Sequence, residues 1–214
     1  MQRADLERVF GTGRPIIGMV HLQPLPGAPR FTGMQAVVDA ACTDAEALAA
    51  GGVDAIMVEN YGDTPFFPGA VPPETVAALT RAVLEVRRVC TLPLGVNVLR
   101  NDAHAALGVA AATGAAFLRV NLHTGAMLTD QGWIAGRAHD TIRTRQALGV
   151  PIAILADVLV KHATPPPGLD IADAARDTRF RGAADALIVS GAATGSATDP
   201  GRIAAVRAAV PDAP

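Results

Sequence analysis

Residues 51–59, Gly51-Gly52-Val53-Asp54-Ala55-Ile56-Met57-Val58-Glu59, and residues 182–190, Gly182-Ala183-Ala184-Asp185-Ala186-Leu187-Ile188-Val189-Ser190, read as two copies of one unit. In each, a helical stretch stops on glycine, an aspartate follows, and an aliphatic run ends on a polar residue. Gly114-Ala115-Ala116-Phe117-Leu118-Arg119-Val120-Asn121 is a looser third copy. Repeated helix-to-strand junctions of this kind mark parallel strands joined by helical crossovers.

Outward from these junctions the same alternation covers the chain. Short β-branched or aliphatic runs predict strands at 16–22, 55–60, 94–99, 117–123, 152–160 and 186–190, each followed by an Ala-rich helical stretch, at 34–50, 73–88, 102–113, 136–148, 171–181 and 200–209. Helix starts carry the expected chemistry: Asp199 before Pro200, and Asn101-Asp102 ahead of another helix. No GxGxxG follows the first strand and no GxxxxGK[ST] occurs, so the cyclic repeat favours an α/β barrel of the TIM (βα)8 type over a doubly wound nucleotide-binding sheet. Six βα units are read, as one domain over 1–214. No linker of biased composition divides them.

Strand parity then sorts side chains into two layers. In a parallel barrel the outward residues pack beneath the helices and the alternate ones fill the lumen. Ile56, Val58, Val96, Val98, Leu118, Val120, Leu122, Ile152, Ile154, Leu187 and Val189 take the outer layer. The lumen receives Met19 and His21, Met57 and Glu59, Gly95 and Asn97, Arg119, Asn121 and His123, Asp157, Lys161 and Ser190. Inward carboxylates and guanidinium groups are costly unless paired or used. They cluster toward the strand C-termini, where barrel enzymes place their chemistry. One reading is an internal ion-pair network in which Arg119 neutralises Glu59 or Asp157; the other is an active site at the mouth.

In the second reading Glu59 or Asp157 is the general base and His21 or His123 the acid, while Asn97, Arg119 and Asn121 orient substrate oxygens. His21, His123 and His162, with Glu59 and Asp157, are also candidate ligands for a divalent metal, although no HxxxH-type spacing accompanies them. Lys161, the one lysine against seventeen arginines, ends the fifth predicted strand as a Schiff-base nucleophile, a cation for a substrate phosphate, or a lysine snorkelling at the rim. The loop Ser190-Gly191-Ala192-Ala193-Thr194-Gly195-Ser196 offers small side chains and N–H groups for an anion ahead of the helix at Pro200, or is a plain connecting loop. Residues 127–133, with the only tryptophan, Trp133, read as a lid or an interface.

Composition narrows the function classes. The chain has 214 residues, 50% hydrophobic and 18% charged, with formal charge −2. That is enough for a sizeable core, and no broad cationic face offers itself to nucleic acid. No N-terminal leader pattern is read and no apolar run approaches the ~20 residues of a membrane span. Cys42 and Cys90 fall in helical stretches without metal or disulfide spacing, which fits a reducing cytoplasm.

Several longer segments resemble the BtpA family of TIM-barrel proteins. They are Pro15-Ile16-Ile17-Gly18-Met19-Val20-His21-Leu22-Gln23-Pro24-Leu25-Pro26-Gly27, Val58-Glu59-Asn60-Tyr61-Gly62-Asp63-Thr64-Pro65-Phe66, Gly95-Val96-Asn97-Val98-Leu99-Arg100-Asn101-Asp102, Arg119-Val120-Asn121-Leu122-His123-Thr124-Gly125, Asp130-Gln131-Gly132, Ala156-Asp157-Val158-Leu159-Val160-Lys161-His162 and Val189-Ser190-Gly191-Ala192-Ala193-Thr194-Gly195. The resemblance implies a barrel of the ribulose-phosphate-binding type. It also implies either an enzyme of lyase, isomerase or hydrolase type, acting on a small polar or phosphorylated sugar-like compound, or an assembly factor for a membrane protein complex such as photosystem I. Tyr61, Phe66, Phe67 and Trp133 are the candidate docking residues for the latter. Related barrels continue into a seventh and an eighth unit. Six units alone predict open sheet edges beside the first and sixth strands, and a chain that self-associates or belongs to a longer product.

Overall fold

A computed structural model describes residues 3–214. Its main sheet is parallel and six-stranded: β1 (Ile17–His21), β2 (Ala55–Glu59), β3 (Leu94–Asn97), β4 (Phe117–Val120), β7 (Ala153–Asp157) and β8 (Ala186–Ile188), adjacent in that order. Each strand pairs with the next in the chain's own progression, and the order never reverses about a central strand. That is the progression of a TIM-type barrel wall. β1 and β8 form its two edges, and the N–H of Leu187 in β8 is taken up by the carbonyl of Pro214.

The crossover helices are α2 (Met34–Ala50), α3 (Pro73–Val89), α4 (Ala103–Thr113), α5 (Ala138–Leu148), α6 (Ile171–Arg176, widening into a π-helical turn at Asp177–Arg181) and α7 (Pro200–Ala209). Asp102 caps α4 by accepting from the Ala105 N–H at 2.9 Å, and Asp199 caps α7 through the Gly201 N–H at 2.8 Å, ahead of Pro200. Among the described residues no helix is long and apolar enough to cross a membrane.

Two apolar layers flank the sheet, as parity requires. Ile56, Val58, Val96, Leu118, Val120, Ile152 and Ile154 pack outward beneath α2, α3 and α4, whose Val37, Leu79, Val83 and Leu107 meet them. Inward, Met57, Phe117, Ala153, Leu155 and Ala186 form a second core, closed from below by a helix not foreseen from the sequence, α1 (Arg3–Phe10). Its Phe10 meets Phe117 edge-on at 5.0 Å. The lumen glycine is explained here, since a Cβ on Gly95 would lie 2.3 Å from the Phe117 ring. Among the described residues the bottom of the lumen is therefore packed, and the open space lies at the strand C-termini.

A second unforeseen element is an antiparallel hairpin, β5 (Ala126–Thr129) and β6 (Gly132–Ala135), inserted before α5. Residues 127–133, read as a lid or interface, are this hairpin. Two backbone hydrogen bonds between Leu128 and Thr164, at 2.9 and 2.8 Å, tie it to the loop after β7.

Candidate active site

At the mouth a cavity of about 540 Å³ opens to solvent, lined among others by Glu59, Tyr61, Arg100, Arg119, Asn121 and Lys161. Glu59 at the end of β2, Arg119 near the end of β4 and Asn121 just past it line this cavity. The β1–β2–β3 register sets His21 beside Glu59 and Glu59 beside Asn97. Glu59 is buried; Oε2 accepts from Asn97 Nδ2 at 2.5 Å, and Oε1 lies 3.5 Å from His21 Nε2. His21 is 43% exposed on its side chain and stacks on Tyr61, centroids 4.4 Å apart. The histidine thus links the buried carboxylate to solvent.

The second carboxylate is engaged differently. Asp157 is buried and accepts two hydrogen bonds from Arg119, Nε to Oδ1 at 2.9 Å and Nη2 to Oδ2 at 2.8 Å, a fork geometry that uses both oxygens. Arg119 Nη1 stands 3.9 Å from Glu59 Oε2. Burial disfavours the Arg119 charge, but the Asp157 carboxylate, with its hydrogen bonds, and Glu59 together outweigh it and hold the guanidinium pKa above its ordinary value. Asn121 is buried at the cavity wall, and its Oδ1 has no hydrogen-bond partner among the described residues.

Two asparagines knit the mouth loops. Asn60 Oδ1 accepts the Leu99 N–H at 2.7 Å and its Nδ2 donates to Asp63, which in turn receives the Leu25 N–H. Asn101 exchanges two hydrogen bonds with the Leu122 backbone, at 2.8 and 2.9 Å. Each side-chain amide extends the ladder one step beyond the strands, so the mouth is held without further sheet. Neither residue stands out by parity. Asn60 follows the inward Glu59 at the end of β2, whereas Asn101 sits in the loop four residues past β3.

Not all candidate positions meet at the cavity. His123 does not face the lumen. β4 ends at Val120, three residues earlier, and His123 is buried with Nε2 2.8 Å from the Gly182 carbonyl and its Nδ1 without a hydrogen-bond partner among the described residues. Burial lowers its pKa, with Arg145 lowering it further. Ser190 and Gly191 lie beyond β8 and outside the cavity wall. Their loop folds on itself: the Thr194 N–H goes to His162 Nε2 and the Ser196 N–H to the Ala193 carbonyl, and a Cβ on Gly191 would sit 2.4 Å from Ser196 O. Only Thr194 of that loop reaches the cavity. Lys161 follows β7 by four residues and lines the cavity half-exposed, between Leu159 and His162, which both adopt the left-handed conformation (φ 52° and 56°) that strains non-glycine residues. The divalent-metal set is not assembled: among the described residues no three His, Cys, Asp or Glu side chains converge, and of the candidate ligands only Glu59 and His162 line the cavity. Tyr61 and Phe66 line the cavity rather than an outer patch, whereas Phe67 (53%) and Trp133 (63%) project to solvent.

Arg100, absent from the parity set, is the main omission. Its N–H donates to the Phe67 carbonyl, and its side chain reaches over the mouth to place Nη2 2.7 Å from the Lys161 carbonyl. The residue is 6% exposed. Burial lowers its pKa, with Asp130 the largest opposing charge.

Comparison with known proteins agrees with this architecture. The photosystem I biogenesis protein BtpA of Synechocystis is 51% identical over 193 residues, covering 90% of this chain and 67% of its own length. An uncharacterised protein of Thermococcus kodakarensis is 47% identical over 201 residues, covering 94% of this chain and 74% of its own. The chain thus spans about two thirds to three quarters of these relatives. The solved structure of PhdJ bound to a substrate intermediate matches with TM-score 0.52 at 16% identity, over 96% of this chain and 59% of that one, a likeness of fold alone. The BtpA family model matches residues 12–214, and with it the mouth motifs around Glu59, Arg100, Arg119 and Asp157, so the chain belongs to the BtpA family.

Proposed function

We propose that the protein is an enzyme that moves a proton on a small, polar, sugar-like substrate, with Glu59 as general base. The observation that carries this reading is the unequal engagement of the two carboxylates. Asp157 has both oxygens committed to Arg119, whereas Glu59 lines the open cavity and touches His21. A base needs hydrogen-bond reach to its proton and a way to pass it on. Glu59 has the first through the cavity and the second through His21, half-exposed on its Tyr61 platform.

The remaining groups suit the charge such a step creates. Removing a proton beside a carbonyl leaves an oxyanion, which positioned donors stabilise. Arg119 Nη1 is not used by Asp157, and Asn121 stands at the same wall. Asn97 fixes the Glu59 rotamer from the neighbouring strand. In this scheme Asp157 is a positioning residue, setting the plane of the guanidinium.

The test is a metabolite-library thermal-shift screen of the wild-type chain and Glu59→Gln, followed by proton NMR of each stabilising compound in D2O. Compounds that stabilise both proteins, with solvent deuterium entering the substrate only in the wild type and at least ~100-fold more slowly in the variant, support the reading. Undiminished exchange in Glu59→Gln defeats it.

A second reading, an assembly factor acting on a membrane protein complex, draws on the name of the Synechocystis relative and on exposed Phe67 and Trp133. In that case the two aromatics, not Glu59, carry the activity.

A further inference from the structure

We propose that the cavity binds a phosphate monoester dianion between Arg100 and Lys161, separate from the Ser190–Gly191 turn. The inference rests on the reading of the cavity as a substrate site and adds the charged end of the substrate to it.

The observation behind it is the state of Arg100. A guanidinium this deeply buried ordinarily has a carboxylate partner, because an unpaired buried charge is costly. Arg119 in the same mouth has one; among the described residues Arg100 has none, and its single side-chain hydrogen bond goes to a neutral carbonyl. Lys161 reaches the same cavity with no ion pair among the described residues, and exposed Arg30 stands at its rim. The acidic residues at the wall are Glu59 and Asp130, and Arg119 is already matched by Asp157. On its Arg100 side the cavity thus sets three cations, Arg100, Lys161 and Arg30, against Asp130, the carboxylate that acts most strongly on Arg100, which leaves a surplus of positive charge next to the Thr194 hydroxyl and the His162 ring.

The choice of a dianion follows from that surplus. With Asp130 set against the three cations two positive charges remain, and a single carboxylate balances only one of them. A phosphate monoester, with close to two charges and three acceptor oxygens, meets the Arg100 fork and the Lys161 ammonium together. The cavity volume falls within the ~300–1,000 Å³ usual for small-molecule sites, so a phosphorylated small polyol fits with its other end at Glu59.

Inorganic phosphate is the probe, titrated into the full chain by calorimetry and by phosphorus NMR at constant ionic strength set with sodium chloride, so that screening does not vary. Saturable binding is expected in the wild type, weakened at least tenfold in Arg100→Gln and in Lys161→Gln. Lys161 is half-exposed, so its variant decides the outcome if Arg100→Gln does not fold. Glu59→Gln is expected to bind phosphate at least as tightly as wild type, since it removes a negative charge from the wall. Unaltered phosphate affinity in Lys161→Gln, absence of saturable binding in the wild type, or equal competition by acetate each overturns the proposal. Phosphate binding that depends on Lys161 alongside full turnover by Glu59→Gln sinks the catalytic reading and keeps this one; loss of turnover without phosphate binding does the reverse.

Discussion

Arg119 grips Asp157 with two of its three guanidinium nitrogens and holds the third 3.9 Å from Glu59. One cation therefore stands between two carboxylates of different standing. This relationship yields a split between stability and activity. Asp157→Ala leaves a buried guanidinium without its partner, and breaking such a pair costs about 3–5 kcal/mol. Chemical denaturation is expected to show that loss. Glu59→Gln keeps the shape and an oxygen for Asn97, so its unfolding midpoint should stay close to wild type while turnover falls. Equal destabilisation by both variants would mean that Glu59 and Asp157 form one structural network.

His123 gives a pH dependence with a definite sign. Its pKa in the folded chain is lowered from 6.5, first by burial and then by Arg145, against the opposing Gly182 hydrogen bond. A depressed folded pKa contributes stability that is present above the unfolded value and lost as pH falls through the folded one. Stability should therefore decline as pH drops below about 6.5, because the unfolded chain takes up a proton that the folded chain resists. His123→Gln is expected to flatten that part of the curve. An unchanged acid limb, measured by urea unfolding between pH 7 and 5, would remove His123 as its cause.

Most of the fold was legible because parallel barrels repeat their grammar. The Gly-x-x-Asp junction before an aliphatic run recurs at Gly51 and Gly182, and strand parity correctly separates Ile56 and Val58 from Met57 and Glu59. Parity fails where the strand stops. It carried His123 into the lumen although β4 ends at Val120, three residues earlier, and it passed over Arg100, whose backbone lies in a loop and whose side chain crosses the mouth. Helix α1 escaped because its core contacts, Leu6 and Phe10, are too few to show a period in the sequence. The hairpin escaped because its strands are four residues each and its pairing with Thr164 is non-local.

The packed lower lumen makes a sharp prediction at Gly95. A methyl group there would collide with Phe117, whose ring is itself held by Phe10. Gly95→Ala is expected to cost about 1–3 kcal/mol, the usual range for overpacking a filled core. Phe117→Leu, which removes the ring, should relieve the collision, so the double variant is expected to lose less than the sum of the single losses. Additive losses in a double-mutant cycle would show that the two side chains do not compete for the same space.

The exposed aromatics test whether the cavity or the surface carries the biological role. Trp133 pairs across the hairpin with Leu128, itself 45% exposed, so two large apolar groups share one solvent face. Phe67 is on a separate loop, connected through its carbonyl to the Arg100 N–H. Neither aromatic belongs to the packed core, so Trp133→Ser with Phe67→Ser should shift stability by no more than ~0.5 kcal/mol. Complementation in a host deleted for its own copy of the gene then separates the two readings. An enzyme working at the mouth predicts that the aromatic double variant restores the phenotype and Glu59→Gln does not. An assembly factor docking through these aromatics predicts the opposite, because its activity depends on desolvating a surface patch and needs no proton transfer at Glu59.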